Sequence, residues 1–305
     1  MENQLIFEQD TCDKIEVVDC SVCGKAPFNI FMEDAGPTRY LRCLSCRTIY
    51  ASPRSTWASR YSWLKSDYGV SNEQKYNSQI RKPVLAMEAS LIHKYQSSGK
   101  ILDIGCSLGD FFEMFPSPTW ERHGVELALS AAAFAREKFS AKVEVGTLKA
   151  TNFPDNFFDV VTLIDMIYYI DNPKEDLREI FRITKIGGVL AIEMPGQSYM
   201  MIRLRGLVPL LFNRKWNLLQ PSSTYINWYS PQGIERLLKE HGFNILDWKV
   251  LASPLQETGF RSFLTYGHLV VMEFLSRLSF STLSFAPKYF CIARKVSMEA
   301  TSGNA

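Results

Sequence analysis

The sequence predicts an α/β fold with a doubly wound, mainly parallel sheet and a small N-terminal metal-binding ribbon. Strand-like apolar runs alternate with helical patterns over residues 99–195. A glycine-containing turn at residues 105–109 follows the first of these strands. Two CxxC pairs precede this region, and a chain of 305 residues has room for one α/β domain plus a small module.

Composition and charge define the broad class of the protein. Hydrophobic residues make up 46% of the chain, enough for a sizeable core, and the formal net charge is only +2. A charge this small does not favour nucleic acid as a partner. The N-terminal residues show no basic-then-apolar signal pattern, and charged residues interrupt the apolar stretches at 200–212 and 269–285. We therefore expect a cytoplasmic protein without a transmembrane segment.

Four of the seven cysteines predict a metal site. They form the pairs Cys20-x-x-Cys23 and Cys43-x-x-Cys46. Each CxxC turn aims two thiolates at one ion, and two such turns complete the tetrahedral sulfur shell that zinc prefers. Because four cysteines leave no open ligand position, we expect structural Zn²⁺ in a reducing compartment. An iron–sulfur cluster is the alternative.

The first helix before the sheet is predicted over residues 82–96, because Val84, Met87 and Leu91 recur on one side. The stretch at residues 101–115 then reads as a buried strand, a tight turn and the start of a helix. A strand, a glycine turn and a helix N-terminus together form a pocket for an anionic or strongly polar ligand.

Glu126 ends the next strand about twenty residues beyond the turn, where an acidic residue binds ribose hydroxyls. The dehydrogenase fingerprint does not fit, because Ser107 and Asp110 occupy glycine positions. The pattern Asp103-x-Gly105-x-Ser107-x-Gly109, with Glu126 downstream, resembles the class I S-adenosylmethionine-dependent methyltransferases. That family usually carries glycine where Ser107 stands.

The later elements follow in the order of that family. Ser130 is placed to cap a helix ending at Phe139. Residues 158–164 read as a central strand buried on both faces. Asn172 is placed to cap the next helix, with proline at the first position and Glu175 where a capping box needs it.

The resemblance implies a seven-stranded, Rossmann-like core whose last strand, residues 289–295, runs antiparallel. It also implies S-adenosylmethionine as the cofactor. The implied cofactor-binding residues lie in the glycine turn and at later strand ends: Asp103, Gly105, Cys106, Ser107, Gly109, Glu126, Leu127, Thr147, Leu148, Asp165 and Met166.

The two CxxC pairs narrow the resemblance to methyltransferases of sugar, polysaccharide and secondary-metabolite pathways. This implies a small-molecule acceptor, a sugar or a glycoconjugate intermediate. Relatives often have histidines where this chain has Tyr169 and Tyr225, so these tyrosines and Asp165 are the candidate catalytic residues. The alternatives are that the tyrosines only form the pocket wall and that Asp165 caps a helix or turn.

We expect four segments along the chain. They are a zinc ribbon at residues 1–55, a helical and aromatic lead-in at 56–98, a methyltransferase domain at 99–296 with an acceptor-covering insertion at about 196–229, and a disordered tail at 297–305. Residues 200–216 of the insertion read either as a lid or as a helix in peripheral contact with a membrane.

A binding protein is the alternative function. In that hypothesis the ribbon contacts RNA or a partner, and the methyltransferase core is degenerate. An RNA methyltransferase is the intermediate hypothesis. The binding-protein hypothesis predicts a basic surface around the ribbon, formed by Arg39, Arg42, Arg47 and Arg54. The histidines His93, His123, His241 and His268 are expected to lie outside the crevice.

Overall fold

The computed structural model describes residues 15–33, 38–61, 72–197, 225–251 and 288–296. The strands are β1 Ile15–Glu16, β2 Phe28–Glu33, β3 Arg39–Cys43, β4 Ile49–Ala51, β5 Arg54–Ser55, β6 Gly99–Ile104, β7 Trp120–Glu126, β8 Lys142–Val145, β9 Phe158–Leu163, β10 Thr184–Pro195, β11 Asn227–Trp228, β12 Phe243–Leu251 and β13 Lys288–Lys295. The helices are α1 Trp57–Arg60, α2 Asn72–His93, α3 Leu129–Phe139, α4 Pro173–Ile183 and α5 Pro231–Glu240. Short 3-10 turns cover Asp110–Met114, Leu148–Ala150 and Ile167–Tyr169.

The main sheet has seven strands in the order β12-β13-β10-β9-β6-β7-β8. Strands β6 to β10 pair in parallel, and β13 runs antiparallel to both β10 and β12. Successive residues of each central strand enter different apolar clusters: Leu102 and Val161 pack with α4 and α5, while Ile101 and Val160 pack with α2. This confirms the predicted Rossmann-like sheet, covered on both faces, with its last strand antiparallel.

Local capping explains where the helices begin. Asn172 accepts a hydrogen bond from Glu175 N at 3.4 Å, with proline at the first position of α4, which confirms the predicted cap. The prediction for Ser130 was wrong. Helix α3 begins at Leu129, and Ala128 occupies the cap position without a side-chain bond. The Glu126 carboxylate accepts from Ala128 N instead, so the strand end satisfies the first turn of the helix.

The boundaries of α2 also differ from the prediction. The helix begins at Asn72 and ends at His93, so Pro83 lies inside it. The apolar spacing on which the prediction was based begins at Val84, so it did not reveal the more polar residues 72–81 as helix. The helix extends upstream at the loss of the hydrogen bond that Pro83 cannot donate.

The N-terminal sheet has the order β11-β4-β3-β2, so a strand from the C-terminal third of the chain completes it. Asn227 and Trp228 pair with Tyr50 and Ile49, and the Trp228 ring stacks on Tyr40 with centroids 4.9 Å apart. The predicted boundary between the zinc ribbon and the lead-in, at residue 55, stays a prediction. The N-terminal sheet contains strands from before and after this residue.

Two further predictions concern the insertion and the C-terminal tail. The predicted lid or membrane helix at residues 200–216 and the predicted tail at 297–305 lie outside the described residues. Within the described ranges, no helix combines the length and hydropathy required to cross a bilayer.

Candidate active site and cysteine cluster

A cavity of about 610 Å³ lies at the carboxyl ends of β6, β7 and β9. Ligands of open α/β sheets bind at this edge, because the strand ends and the following loops meet there. The cavity lining includes most of the residues proposed from the sequence: Gly105, Ser107, Glu126, Leu127, Thr147, Leu148, Asp165, Met166, Tyr169 and Tyr225.

The glycine turn after β6 forms a cradle that a bulkier residue would fill. Gly105 has a φ of 77°, and a Cβ added there would lie 2.4 Å from the Met166 sulfur. Ser107 also adopts the left-handed conformation, with a φ of 48°. Glycine tolerates this conformation best, which gives a physical reason for glycine at the Ser107 position in relatives. The Met166 side chain therefore packs directly on the Gly105 backbone, and position 105 has no room for a side chain.

Glu126 lies at the edge of the cavity with its carboxylate fixed by two backbone donors. Its Oε2 accepts from Ser107 N at 2.8 Å and its Oε1 accepts from Ala128 N at 2.9 Å. Burial raises the pKa of Glu126, and the two backbone hydrogen bonds oppose that effect. A carboxylate held this way keeps lone pairs for hydroxyl groups of a ligand.

Three of the predicted cofactor ligands do not line the cavity. Asp103 is buried beneath the turn, where its Oδ1 accepts from Thr162 Oγ1 at 2.6 Å, and burial raises its pKa to about 7. Cys106 is buried beside Gly124, and Gly109 fits closely against Ala135. These residues support the turn from behind, and their contact with a cofactor stays a prediction.

Asp165 belongs to a charge cluster beneath the cavity. Its Oδ2 lies 2.9 Å from Arg81 Nη1 and 2.8 Å from Lys288 Nζ. The fully buried Glu193 contacts the same two cations, at 2.7 Å for Arg81 Nη2. Burial raises the pKa of Asp165, but the combined effect of the positive charges on Lys288 and Arg81 is larger, so the pKa is lowered. Asp165 is therefore a neutralised carboxylate and a weak base at neutral pH.

A third carboxyl group lies beside this cluster. Glu88 on α2 is fully buried, and neither of its oxygens has a hydrogen-bond partner among the described residues. Burial and then the nearby Glu193 raise the pKa of Glu88 well above its usual value, which favours the protonated form. Sequence reasoning missed the contributions of Arg81, Glu88, Glu193 and Lys288 entirely.

Aromatic rings form the other side of the cavity, here called the aromatic wall: Trp57, Tyr61, Tyr168, Tyr169 and Tyr225. The Tyr169 ring centroid lies 4.5 Å from that of Tyr168 and 5.4 Å from that of Tyr225. Burial raises the pKa of Tyr169, and it raises that of Tyr61 to about 12. Their hydroxyls stay protonated and act as hydrogen-bond donors.

The described histidines lie outside the cavity, and of the four arginines expected on a basic surface Arg39 and Arg47 are exposed whereas Arg54 is buried. His93, His123 and His241 are absent from the cavity lining, as expected, while His268 lies outside the described residues. Arg54, one of four arginines expected on a basic surface, is buried and pairs with Glu16 and Asp171. An arginine neutralised inside the protein cannot contact phosphate groups.

The four cysteines come together as predicted. Their sulfur atoms all lie within 4.8 Å of one another, and Cys20 Sγ is 3.6 Å from Cys46 Sγ. Bonds of about 2.3 Å in a tetrahedral zinc shell place sulfurs roughly 3.8 Å apart. Hydrogen bonding between Cys20 and Cys46 raises the pKa of the first thiol and lowers that of the second. The donor set therefore fits one tetrahedral, thiolate-binding metal ion.

The doubly wound sheet, the glycine cradle and the acidic strand end define the class of S-adenosylmethionine-dependent methyltransferases. The profile of a family described as a methyltransferase domain matches residues 72–247. This match covers more than half of the chain, and the chain belongs to this methyltransferase family.

Characterised relatives match a shorter region. A phosphoethanolamine N-methyltransferase of Triticum aestivum is 30% identical over 100 residues, which is 30% of this chain and 20% of the relative. A ubiquinone/menaquinone biosynthesis C-methyltransferase of Yersinia pestis is 32% identical over 103 residues, 30% of this chain and 41% of the relative. The chain thus spans between a fifth and two fifths of the length of these relatives.

Solved structures share the fold. A methyltransferase of Thermotoga maritima, described as a possible histamine N-methyltransferase, superposes with a TM-score of 0.50 at 18% identity, covering 76% of this chain and 97% of that one. A structure of the Haloferax volcanii Trm112 methyltransferase activator in complex with a putative methyltransferase gives 0.52 at 13% identity, covering 80% and 100%. Similarity at these identities shows the common fold alone.

Proposed function

We propose that this protein transfers a methyl group from S-adenosylmethionine to a small-molecule acceptor. One observation carries the proposal: a single cavity brings the glycine cradle and Glu126 together with Tyr169 and Tyr225. A cofactor-sized ligand and the reactive end of an acceptor can therefore meet in one place. Such proximity is the main requirement of a methyl transfer, because the cofactor supplies the electrophilic carbon.

The roles of the residues follow from their positions. The backbone at Gly105 and Ser107 accommodates the methionine end of the cofactor, and Glu126 accepts hydrogen bonds from the ribose hydroxyls. Thr147 and Leu148 lie at the end of β8, where we assign the adenine.

We assign the acceptor to the aromatic wall. Tyr169 and Tyr225 position the acceptor by hydrogen bonding and ring contact. Burial raises the pKa of Tyr169, so its hydroxyl acts as a donor and not as a base. Asp165 holds the floor of the cavity through its two ion pairs and contributes charge balance instead of accepting a proton.

The finer proposal is that the acceptor is a sugar or a glycoconjugate intermediate. It is supported by the resemblance of the CxxC pairs to those of sugar-pathway methyltransferases. The relatives named above support the broader class of small-molecule acceptors. One name describes methyl transfer to phosphoethanolamine and the other methyl transfer in the biosynthesis of quinones, and both acceptors are small molecules. We also propose that the four cysteines hold a structural Zn²⁺, because their sulfur spacing suits that ion.

Calorimetry tests the activity at its first step. We expect S-adenosylmethionine and S-adenosylhomocysteine to bind with micromolar dissociation constants. Glu126→Gln should weaken both by about tenfold, the effect of roughly 1.4 kcal/mol from one lost hydrogen bond to a charged group. Glu121→Gln is the matched control, because Glu121 lies on the same strand but pairs with Lys100 and Lys142 away from the cavity. No binding of either compound would overturn the proposal.

A further inference from the structure

Four consecutive residues on the rim of the cavity, 168–171, are held by one part of the protein. We call residues 168–171 the rim segment, and residues 15–33 and 38–61 with 225–228 the ribbon module. Three carbonyl oxygens of the rim segment accept hydrogen bonds from the ribbon module: Tyr168 O from Ile226 N at 3.2 Å, Tyr169 O from Tyr61 Oη at 3.0 Å, and Ile170 O from Asn227 Nδ2 at 3.0 Å.

The fourth rim residue, Asp171, is held through its carboxylate. Its Oδ1 lies 3.0 Å from Arg54 Nη2 and also accepts from Arg60 Nη2. The Arg60 side chain is only 1% exposed, and its other terminal nitrogen donates to Ser55 O. Two buried guanidinium groups therefore fix one carboxylate at the cavity. Glu16 also pairs with both guanidinium groups, so Asp171 belongs to a network of two cations and two carboxylates. Breaking a buried ion pair is costly, which holds the Asp171 carboxylate in place.

Asn227 connects the rim segment to the cysteine cluster. Ser21, which lies between Cys20 and Cys23, donates from Oγ to Asn227 Oδ1 at 2.9 Å. On the other pair, the Cys46 carbonyl accepts from Ser230 Oγ. The side chain of Asn227 thus spans the space between the first CxxC loop and the rim segment, with one bond to each.

The two halves of the cavity have different supports. Tyr169 belongs to the rim segment, and Tyr225 lies two residues before β11. The ribbon module therefore determines how far apart these rings lie. The Gly105 N–H instead donates to Val125 O at 2.7 Å, and the Ser107 N–H donates to the Glu126 carboxylate. Both hydrogen bonds lie within the main sheet and its first turn. A change in the ribbon module should therefore move the aromatic wall and leave the cofactor cradle in place.

We propose that the ribbon module forms the acceptor-determining half of the active site, with Arg60 and Asn227 as the positioning residues that fix Tyr169 against Tyr225. Metal binding at the four cysteines then controls the aromatic wall and not the affinity for the cofactor. This inference rests on the proposed function, and it assigns to the cysteine cluster a role in acceptor recognition in addition to folding.

Hydrogen–deuterium exchange of the full chain, saturated with S-adenosylhomocysteine, tests the metal dependence. Zinc is removed by a chelator and its loss is confirmed by metal analysis. We expect peptides covering residues 166–173 to exchange at least tenfold faster, while peptides at 101–109 and 123–127 keep their protection. The dissociation constant of S-adenosylhomocysteine should change by less than threefold. Unchanged exchange at 166–173 after complete zinc loss would overturn the inference.

Variants test the positioning residues without removing the metal. Arg60→Lys keeps the charge but loses the fork that joins Ser55 O to Asp171, and Asn227→Asp keeps the acceptor for Ser21 but loses the donor to Ile170. Each should raise exchange at 166–173 by about tenfold, with zinc content and affinity for S-adenosylhomocysteine unchanged. A purely structural role would instead lower the protection of the ribbon and the main sheet together.

A matched control is Arg182→Lys, because Arg182 makes a similar fork to Asp155 and Glu179 at a distance from the cavity. It should leave exchange at 166–173 unaltered. If Asn227→Asp does not fold, Arg60→Lys alone decides, since it removes no charge. Failure of S-adenosylhomocysteine to bind the unchanged protein would overturn the proposed function. Normal binding, together with unchanged exchange at 166–173 in Arg60→Lys, would overturn only this inference.

Discussion

The Lys288 ammonium lies 2.8 Å from the Asp165 carboxylate, although 123 positions separate the two residues in the sequence. Lys288 also contacts Glu193, and Arg81 contacts the same two carboxylates. Two cations and two carboxylates therefore balance one another beneath the cavity. The pairing ties α2 and the strands β10 and β13 to the loop that follows β9.

Lys288→Met should strongly destabilise the protein. The substitution leaves Asp165 and the fully buried Glu193 to share Arg81 alone, and breaking a buried pair costs about 3–5 kcal/mol. Urea denaturation measures the change. Lys249→Met is the control, since Lys249 is 48% exposed and pairs with Asp247 on the same strand, β12. Its loss should cost at most about 1 kcal/mol. Equal effects of the two substitutions would contradict the assignment.

Glu88→Gln should change how stability depends on pH. The folded-state pKa of Glu88 is raised above its usual 4.5, so its contribution to stability is fully present below that pH and is lost as pH rises toward the folded value. The amide of glutamine does not ionise, so the variant does not lose this stability as pH rises. The difference in unfolding free energy between Glu88→Gln and the unchanged protein should therefore shift in favour of the variant as pH rises from about 4.5, by up to about 1.4 kcal/mol per pH unit.

The control for this prediction is Glu113→Gln, because the Glu113 side chain is 45% exposed and pairs with Lys82 at the surface. Its unfolding free energy should follow the unchanged protein from pH 4.5 to pH 8. If the Glu88→Gln curve runs parallel to that of the unchanged protein, Glu88 is ionised in the folded state and the prediction is wrong.

What the sequence predicted well depends on short-range chemistry. The cap at Asn172 and the glycine turn at 105–109 are set by residues within a few positions of each other. The paired CxxC motifs were equally visible, because each turn places its own two thiols. Strand and helix periodicity then gave the order of elements and so the edge of the sheet where the cavity lies.

What it missed depends on contacts between distant residues. Strand β11 joins the ribbon sheet through two residue pairs, too few for any pattern to reveal. Arg81 carries no motif and reaches Asp165 and Glu193 only because α2 packs across the sheet. Ser130 was mistaken for a cap because the better partner, Glu126, acts from the preceding strand.

Removal of one thiolate tests the metal site. Cys43→Ser should abolish the zinc content, about one ion per chain in the unchanged protein, and should expose the ribbon sheet to proteolysis because metal binding and ribbon folding are coupled. Cys291→Ala is the control, since Cys291 is equally buried but lies in β13 outside the cluster. It should retain the zinc. Freshly purified protein that contains no zinc, with a protease-resistant ribbon, would contradict the prediction.

Tyr169→Phe and Tyr225→Phe test whether the hydroxyls of the aromatic wall act on the acceptor. Both substitutions keep the ring contact, whose centroid distance is 5.4 Å, so the melting temperature should change little. Loss of a positioning hydroxyl should lower turnover about tenfold, the effect of one lost hydrogen bond of roughly 1.4 kcal/mol, measured as S-adenosylhomocysteine released with a sugar acceptor that the unchanged protein methylates. Unchanged turnover in both variants would leave these tyrosines as wall residues only.

Gly105→Ala should disrupt the cofactor cradle for a reason that can be separated from backbone strain. Gly105 and Gly187 have φ values of 77° and 80°, so alanine costs roughly 1–2 kcal/mol at either position. At Gly187 an added Cβ meets nothing within 4 Å, whereas at Gly105 it meets the Met166 sulfur at 2.4 Å. Overpacking should therefore add about 1–3 kcal/mol for Gly105→Ala and weaken S-adenosylhomocysteine binding, measured by denaturation and calorimetry. The double variant Gly105→Ala/Met166→Ala removes the clash and should recover most of that added cost. Equal destabilisation by Gly105→Ala and Gly187→Ala would show that the cradle tolerates a side chain.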